Sequence, residues 1–150
     1  MNPQWRQAMK TAISEVLETM FFAMVDFEGE GAPDGGCPWY CEASIEAAFD
    51  AGKVAFFFRL SEDFARMATA GFLGSREEQV NAEEIEDAMK ELANMVGGNF
   101  LSRVEEKNVR LGIPTFRMAP AHEGVTGADA EMLNLYCLGD RVGAAFLERR

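Results

Sequence analysis

The sequence predicts an α+β domain in which two long helices cover a largely antiparallel sheet, in the order α-β-β-α-α-β-β-β. Two long segments repeat apolar residues every three or four positions, which is typical of amphipathic helices. Several shorter segments are continuously apolar or alternate, as strands do, and stretches rich in glycine, proline and aspartate separate them. With 48% hydrophobic residues, a chain of 150 residues can build one core, so we expect residues 1–150 to form a single domain.

The first predicted element is a helix from Pro3 to about Val25. Pro3 lies in its first turn, where proline is favoured. The apolar residues of this segment recur at steps of three and four: Met9, Ile13, Val16, Leu17, Met20 and Met24. Residues 26–38 are dense in glycine, proline and aspartate, so they predict a loop.

Residues 39–49 and 54–60 are strand-like and are joined by a four-residue turn. The second of these segments is almost continuously apolar, so we expect a hairpin whose second strand is well buried. Ser61, followed by two acidic residues, is typical of a helix N-terminus. It predicts a helix that runs to about Phe72.

The strongest helical pattern covers residues 82–102, and its apolar stripe consists of Ile85, Met89, Leu92, Val96 and Phe100. Residues 109–118 predict one strand, and residues 119–130 predict a loop. Residues 132–138 and 141–147 predict a closing hairpin, with Gly139-Asp140 suited to a type II′ turn.

The charge of the chain limits its partners. A net charge of −11 repels phosphate backbones and anionic lipids, so we expect no nucleic-acid or membrane partner. The N-terminal residues lack a secretory signal and no apolar run is long enough to span a bilayer, so a cytoplasmic protein is expected. Three cysteines, an odd number, suit a reducing compartment.

A Cys₃His zinc site is possible in principle. Its ligands would be Cys37, Cys41, Cys137 and His122. Their spacing departs from known zinc patterns, so isolated thiols are the favoured interpretation and we expect no metal site.

Three polar residues mark one side of the long helix at 82–102. Asp87, Glu91 and Asn94 are spaced at i, i+4 and i+7, and we expect them to border the core without entering it. Gly97 and Gly98 follow, although each glycine costs a helix roughly 1 kcal/mol relative to alanine. Gly98 continues the polar stripe, so it can admit a partner. Close packing of the helix on a neighbouring element, with a merely solvated polar face, is the alternative.

The segment EDAMKELANMVGGNF, with Asp87-x-x-x-Glu91-x-x-Asn94, resembles the Asp/Ser-x₃-Glu-x₂-Asn signature of the CheC/CheX/FliY chemotaxis phosphatases. One intact copy on a short chain is most similar to the CheX branch, and the order of elements is similar too. The family pattern also contains a proline downstream of the asparagine. Pro114 and Pro120 are the candidates for it in this chain.

The resemblance implies removal of phosphate from the aspartyl-phosphate of a response-regulator receiver domain, typically phosphorylated CheY, in chemotaxis or two-component signalling. Asn94 and Glu91 would be the catalytic residues. The Asn94 amide can orient the attacking water, and Glu91 can pair with a lysine beside the phosphoryl group. Asp87 and Gly98 would contact the partner. The receiver would supply Mg²⁺, so the chain needs no cofactor of its own.

Residues 11–20 align without gaps with residues 87–96, which suggests a faint internal repeat. In this alignment Glu15 corresponds to Glu91, and Glu18 corresponds to Asn94. A carboxylate cannot donate a hydrogen bond to a phosphoryl oxygen and repels its charge. We therefore expect the first copy to be catalytically silent.

Two other functions remain open. The chain could be a non-catalytic module of the same fold that binds a receiver or belongs to the flagellar switch. It could also be a structural dimerisation domain whose acidic helix face is only solvated. Members of the resembling family are typically dimers, and the apolar closing hairpin offers an edge for a homodimer.

Overall fold

The computed structural model describes residues 3–28, 39–120 and 130–150. Within these ranges the α-helices are α1 (Pro3–Met20), α2 (Glu62–Leu73) and α3 (Ala82–Arg103). The strands are β1 (Cys41–Phe49), β2 (Gly52–Leu60), β3 (Arg110–Leu111), β4 (Thr115–Met118), β5 (Ala130–Cys137) and β6 (Asp140–Arg149), and a 3₁₀ turn spans Glu77–Gln79. The predicted fold class is confirmed, with one strand more than expected.

The strands form one antiparallel sheet in the order β3-β1-β2-β6-β5, and β4 also pairs with β1. The core lies between this sheet and the helices. Phe56 of β2 meets Phe100 of α3 edge to face, with 4.9 Å between ring centroids. Trp5 of α1 packs edge-on against Phe49 of β1 and against Phe100. These aromatic contacts fix α1 and α3 on the same face of the sheet.

Polar side chains cap the N-termini of both α2 and α3. Ser61 accepts a hydrogen bond from the Phe64 N–H and caps α2, as predicted. Asn81 and Glu84 form a reciprocal capping box at the start of α3. Such a box satisfies two backbone N–H groups that a helix start leaves free, so it defines where α3 begins.

The prediction that the first helix reaches Val25 was wrong. It ends at Met20, and Phe22 takes a left-handed φ of 54°. The cause is a tertiary contact, because a Cβ on Gly71 of α2 would lie 2.1 Å from the Phe21 carbonyl oxygen. The chain turns where it meets α2, and Met24, which the apolar pattern assigned to the helix, is 72% exposed.

The prediction of one strand at residues 109–118 was also wrong. The segment forms β3 and β4, which pair with β1 on either side of an interruption at residues 112–114. Pro114 has no N–H to contribute to the ladder, so it favours an interruption here. The Gly112 N–H still donates to the Glu46 carbonyl over 2.8 Å, which keeps the segment close to β1.

The closing hairpin is confirmed as β5 and β6, but its turn differs from the prediction. Leu138 and Gly139 are the central residues, with φ values of 53° and 88°. Two consecutive positive φ angles are typical of a type I′ turn rather than the type II′ turn that we expected at Gly139-Asp140. β5 lies at the edge of the sheet, and the pairing of two copies through it stays a prediction.

Candidate functional site

The candidate site is the α3 polar face, which we define as Asp87, Glu91, Asn94 and Gly98. Asp87, Glu91 and Gly98 are exposed and Asn94 is half-buried. As expected, none of them enters the core, but only the half-buried Asn94 borders it, and the others lie further round the helix. They are offset by two positions from the buried stripe that includes Ile85, and two residues correspond to about 200° around a helix. The face therefore points away from the sheet.

The polar side chains of this face have no partner among the residues that the structure describes. Within the described part of the chain, Asp87, Glu91 and Asn94 make no side-chain hydrogen bond or ion pair. Their neighbour Glu86 does pair, with Lys90, over 3.0 Å. Two carboxylates and one amide are thus available on one helix surface to groups from another molecule.

The two glycines of α3 have different explanations. Gly97 is buried, and a Cβ there would lie 2.9 Å from Leu111 Cδ1 and 3.3 Å from Ile45 Cγ2. Close packing of α3 on β1 and β3 therefore explains Gly97. A Cβ on Gly98 would reach only Leu111 Cδ2, at 4.0 Å. Internal packing does not explain Gly98.

The α1 copy of the motif differs from the α3 copy in its electrostatics. Glu15, which aligns with Glu91, forms an ion pair with Arg103 from the end of α3. The same guanidinium donates to Asn99 Oδ1 over 2.7 Å. The Glu15 carboxylate is therefore already paired with a cation, whereas Glu91 forms no ion pair with any described residue. The catalytic silence of α1 stays a prediction.

Both candidate prolines follow α3 in the chain, one before β4 and one after it. Pro114 is half-buried between β3 and β4, and Pro120 is half-buried just after β4. β3 contacts α3 through Leu111 and Gly97, so Pro114 follows a segment that is packed against the signature helix. This contact favours Pro114 over Pro120 as the counterpart of the family proline.

The candidate zinc ligands are not brought together where the structure describes them. Cys41 is buried in β1, and its burial, with a smaller contribution from Glu42, raises its pKa to about 12. Cys137 is half-buried at the end of β5, while Cys37 and His122 lie outside the described residues. No cluster of three or more His, Cys, Asp or Glu side chains suited to a metal occurs in the described ranges.

No described helix is both long and apolar enough to cross a bilayer.

Residues 44–135 of the chain match the family model described as chemotaxis phosphatase CheX. CheX from Vibrio vulnificus has a similar structure, with a TM-score of 0.79 at 14% identity over 97% of this chain and 99% of that chain. A CheX from Desulfovibrio desulfuricans gives 0.77 at 15% identity, again over 97% and 99%. The CheX–CheY–BeF₃–Mg²⁺ complex from Borrelia burgdorferi gives 0.70 at 15% identity over 97% of both chains.

No curated protein sequence matches the chain. The solved structures show the fold that it shares with CheX proteins, and the family model covers more than half of its length. The chain therefore belongs to the CheX family of chemotaxis phosphatases.

Proposed function

We propose that this chain hydrolyses the aspartyl-phosphate of a response-regulator receiver domain, and that the α3 polar face is its working surface. The observation that carries the proposal is the presentation of Glu91 and Asn94, one turn apart, on a helix face where neither side chain has a partner in the described parts of the chain. The structurally similar CheX from Borrelia burgdorferi was crystallised with CheY, BeF₃ and Mg²⁺. A receiver partner would place the protein in the cytoplasm.

Asn94 is suited to orient the attacking water. An acyl phosphate is already activated, so a catalyst mainly has to place a water in line with the bond that breaks. The Asn94 amide has a donor and an acceptor, which lets it hold a water and a phosphoryl oxygen at the same time. Its half-buried position limits the rotamers of the side chain while leaving one side accessible. Such restraint lowers the entropy that the reaction must lose.

Glu91 is suited to recognise a cation next to the phosphoryl group. A carboxylate and a lysine ammonium form a charge-assisted hydrogen bond, which also sets the register of the two proteins. Glu91 has no cation of its own among the described residues, so pairing with a receiver lysine breaks no existing contact. We assign the Mg²⁺ ion to the phosphorylated receiver, as part of the substrate.

The decay of phosphorylated CheY in the presence and absence of this protein tests the proposal. Release of inorganic phosphate should accelerate with protein concentration and should saturate as the complex forms. A receiver that binds the α3 polar face while its phosphoryl lifetime stays constant would overturn the proposal and support a non-catalytic binding module.

Replacing Glu91 with glutamine should lower kcat/KM for phosphorylated CheY by roughly 10-fold to 100-fold, because a hydrogen bond to a charged group is worth about 1.5–3 kcal/mol. Glutamine keeps the shape and loses the charge, so the fold should be unaffected. Steady-state phosphate release measures the effect. The exposed Glu83, about two turns earlier on α3 and outside the defined α3 polar face, provides the matched control: Glu83→Gln should retain activity within about twofold, as surface changes do.

Replacing Gly98 with alanine should stabilise the fold by about 0.5–1 kcal/mol, since alanine is the better helix former and its methyl group would make only an ordinary van der Waals contact with Leu111. The bulkier Gly98→Leu should weaken receiver binding by at least about 10-fold if the receiver approaches this residue. Urea denaturation and titration with labelled CheY measure the two effects. Unchanged affinity in Gly98→Leu would remove Gly98 from the proposed contact surface.

A further inference from the structure

A cavity of about 620 Å³ lies away from the α3 polar face, between the start of α2, the 3₁₀ turn and the β5–β6 turn. Its apolar lining comes from Phe64, Met67, Cys137 and Val142. Leu138, at the adjacent turn, is 98% exposed and extends this apolar surface. The volume lies within the range of about 300–1,000 Å³ that is typical of ligand-binding pockets.

The remaining lining of the cavity is strongly acidic. Asp63, Glu77, Glu78 and Asp140 contribute carboxylates, and none of them forms an ion pair with another described residue. The cavity also contains one cation, Arg66. Its guanidinium already donates to the Glu62 carboxylate over 3.0 Å and to the Val80 carbonyl over 2.8 Å. The cavity therefore combines an apolar interior with four carboxylates that no described cation pairs with.

We propose that this cavity is a docking site for a basic amphipathic segment of a partner protein. One large apolar side chain of the segment enters the cavity, and lysine or arginine residues on either side of it pair with the acidic lining. Burial of the apolar side chain supplies affinity, and the charges supply orientation and rapid association. The net charge of −11 attracts such a segment from a distance.

The charge of the cavity also selects against other occupants. An acidic or phosphorylated segment would bring like charges against carboxylates that have no described cation to compensate them. A neutral apolar ligand would fill the interior but would leave the acidic lining unused. The proposed site is separate from the dephosphorylation reaction, because none of its lining residues belongs to the α3 polar face.

Cys137 provides a reporter inside the cavity. In a Cys37→Ser variant, the other remaining thiol is Cys41, which is buried and protonated at neutral pH because burial raises its pKa to about 12. The rate of Cys137 modification can then be compared for cationic and anionic methanethiosulfonates of equal size, with 2-mercaptoethanol as the reference thiol. The ratio of the cationic to the anionic rate should be at least about 10-fold higher for Cys137 than for the reference, and should fall at 0.5 M salt.

A matched pair of double variants tests which acidic residues raise the ratio of cationic to anionic modification rates at Cys137. Glu77→Gln/Glu78→Gln removes two charges from the cavity, whereas Glu105→Gln/Glu106→Gln removes two charges outside its lining. The first variant should lower the rate ratio by about 3-fold or more, and the second should leave it within experimental error. Equal effects of both variants would show that only the net charge acts, which would overturn the assignment of this cavity.

A peptide with a central tryptophan and two arginines on each side tests the occupant. It should protect Cys137 from modification, and Glu77→Gln/Glu78→Gln should weaken this protection by about 10-fold. The same peptide with glutamates in place of the arginines should give no protection. Equal protection by both peptides would identify a merely apolar pocket, and absence of protection by the basic peptide would also overturn the proposal. Acceleration of phosphorylated CheY decay should be unchanged in Glu77→Gln/Glu78→Gln, so this test is independent of the proposed enzymatic function.

Discussion

Replacing Asn94 with alanine should reduce the acceleration of phosphorylated CheY decay by about 100-fold or more, the loss expected when one catalytic hydrogen-bonding group is removed. Alanine leaves neither donor nor acceptor to hold the attacking water. Because asparagine is a poorer helix former than alanine, the variant should be as stable as the parent or more stable by about 0.5 kcal/mol. Single-turnover phosphate release measures the chemical step, and urea denaturation measures stability.

Asn99 on the same helix is the matched control. Its side chain accepts a hydrogen bond from Arg103 and lies outside the α3 polar face. Asn99→Ala should retain the accelerated decay within about twofold, even if it loosens the Arg103 contact. Binding of CheY to Asn94→Ala should persist with an affinity close to the parent, because the amide acts on the water more than on the complex. Undiminished activity of Asn94→Ala would eliminate the proposed mechanism.

The sequence could predict α3 and the spacing of its polar residues because both depend on local periodicity. Apolar residues at steps of four and three specify a buried stripe, and residues two positions away must lie on the other side of the helix. The expectation that Asp87, Glu91 and Asn94 border the core holds for the half-buried Asn94 and not for the exposed Asp87 and Glu91. The structure shows that the polar stripe faces solvent more directly than expected, and the candidate site still consists of the same residues.

Features that depend on contacts between distant segments could not be predicted. The end of α1 is determined by the approach of Phe21 to Gly71, 50 positions away along the chain. The buried carboxylate of Glu42 is held by Arg59 from β2, over 2.7 Å, and by Arg117 from β4, over 2.8 Å. An alternating pattern places Glu42 on one face of a strand, but it does not specify which arginines pair with it.

The difference in ion pairing between Glu15 of α1 and Glu91 of α3 also depends on contacts between distant segments. Local sequence shows that Glu18 replaces the amide, and this substitution alone predicts that α1 is silent. The pairing of Glu15 with Arg103 joins residues 88 positions apart, so it required the tertiary structure. The absence of a described ion-pair partner for Glu91 is equally a tertiary property, because it depends on which cations the fold brings near this carboxylate.

Replacing Gly71 with alanine should destabilise the fold by about 3 kcal/mol, at the upper end of the usual cost of overpacking. In an open helix position the change would be favourable by about 1 kcal/mol. Here the added Cβ would lie 2.1 Å from the Phe21 carbonyl oxygen and 3.1 Å from the Phe21 carbonyl carbon. Both are backbone atoms that cannot rotate away, so α1 and α2 must separate. For a domain of this size, thermal denaturation should show a fall of about 6–12 °C in Tm.

The separation should also disturb the stacking of Phe21 on Phe72, whose ring centroids are 4.7 Å apart. Gly98→Ala is the matched control, since the same change at this exposed helix position makes no clash and should raise Tm. Opposite signs for two identical substitutions isolate the clash from helix propensity. Equal stability of Gly71→Ala and Gly98→Ala would show that the Phe21 carbonyl does not lie against Gly71. The early end of α1 would then need another cause.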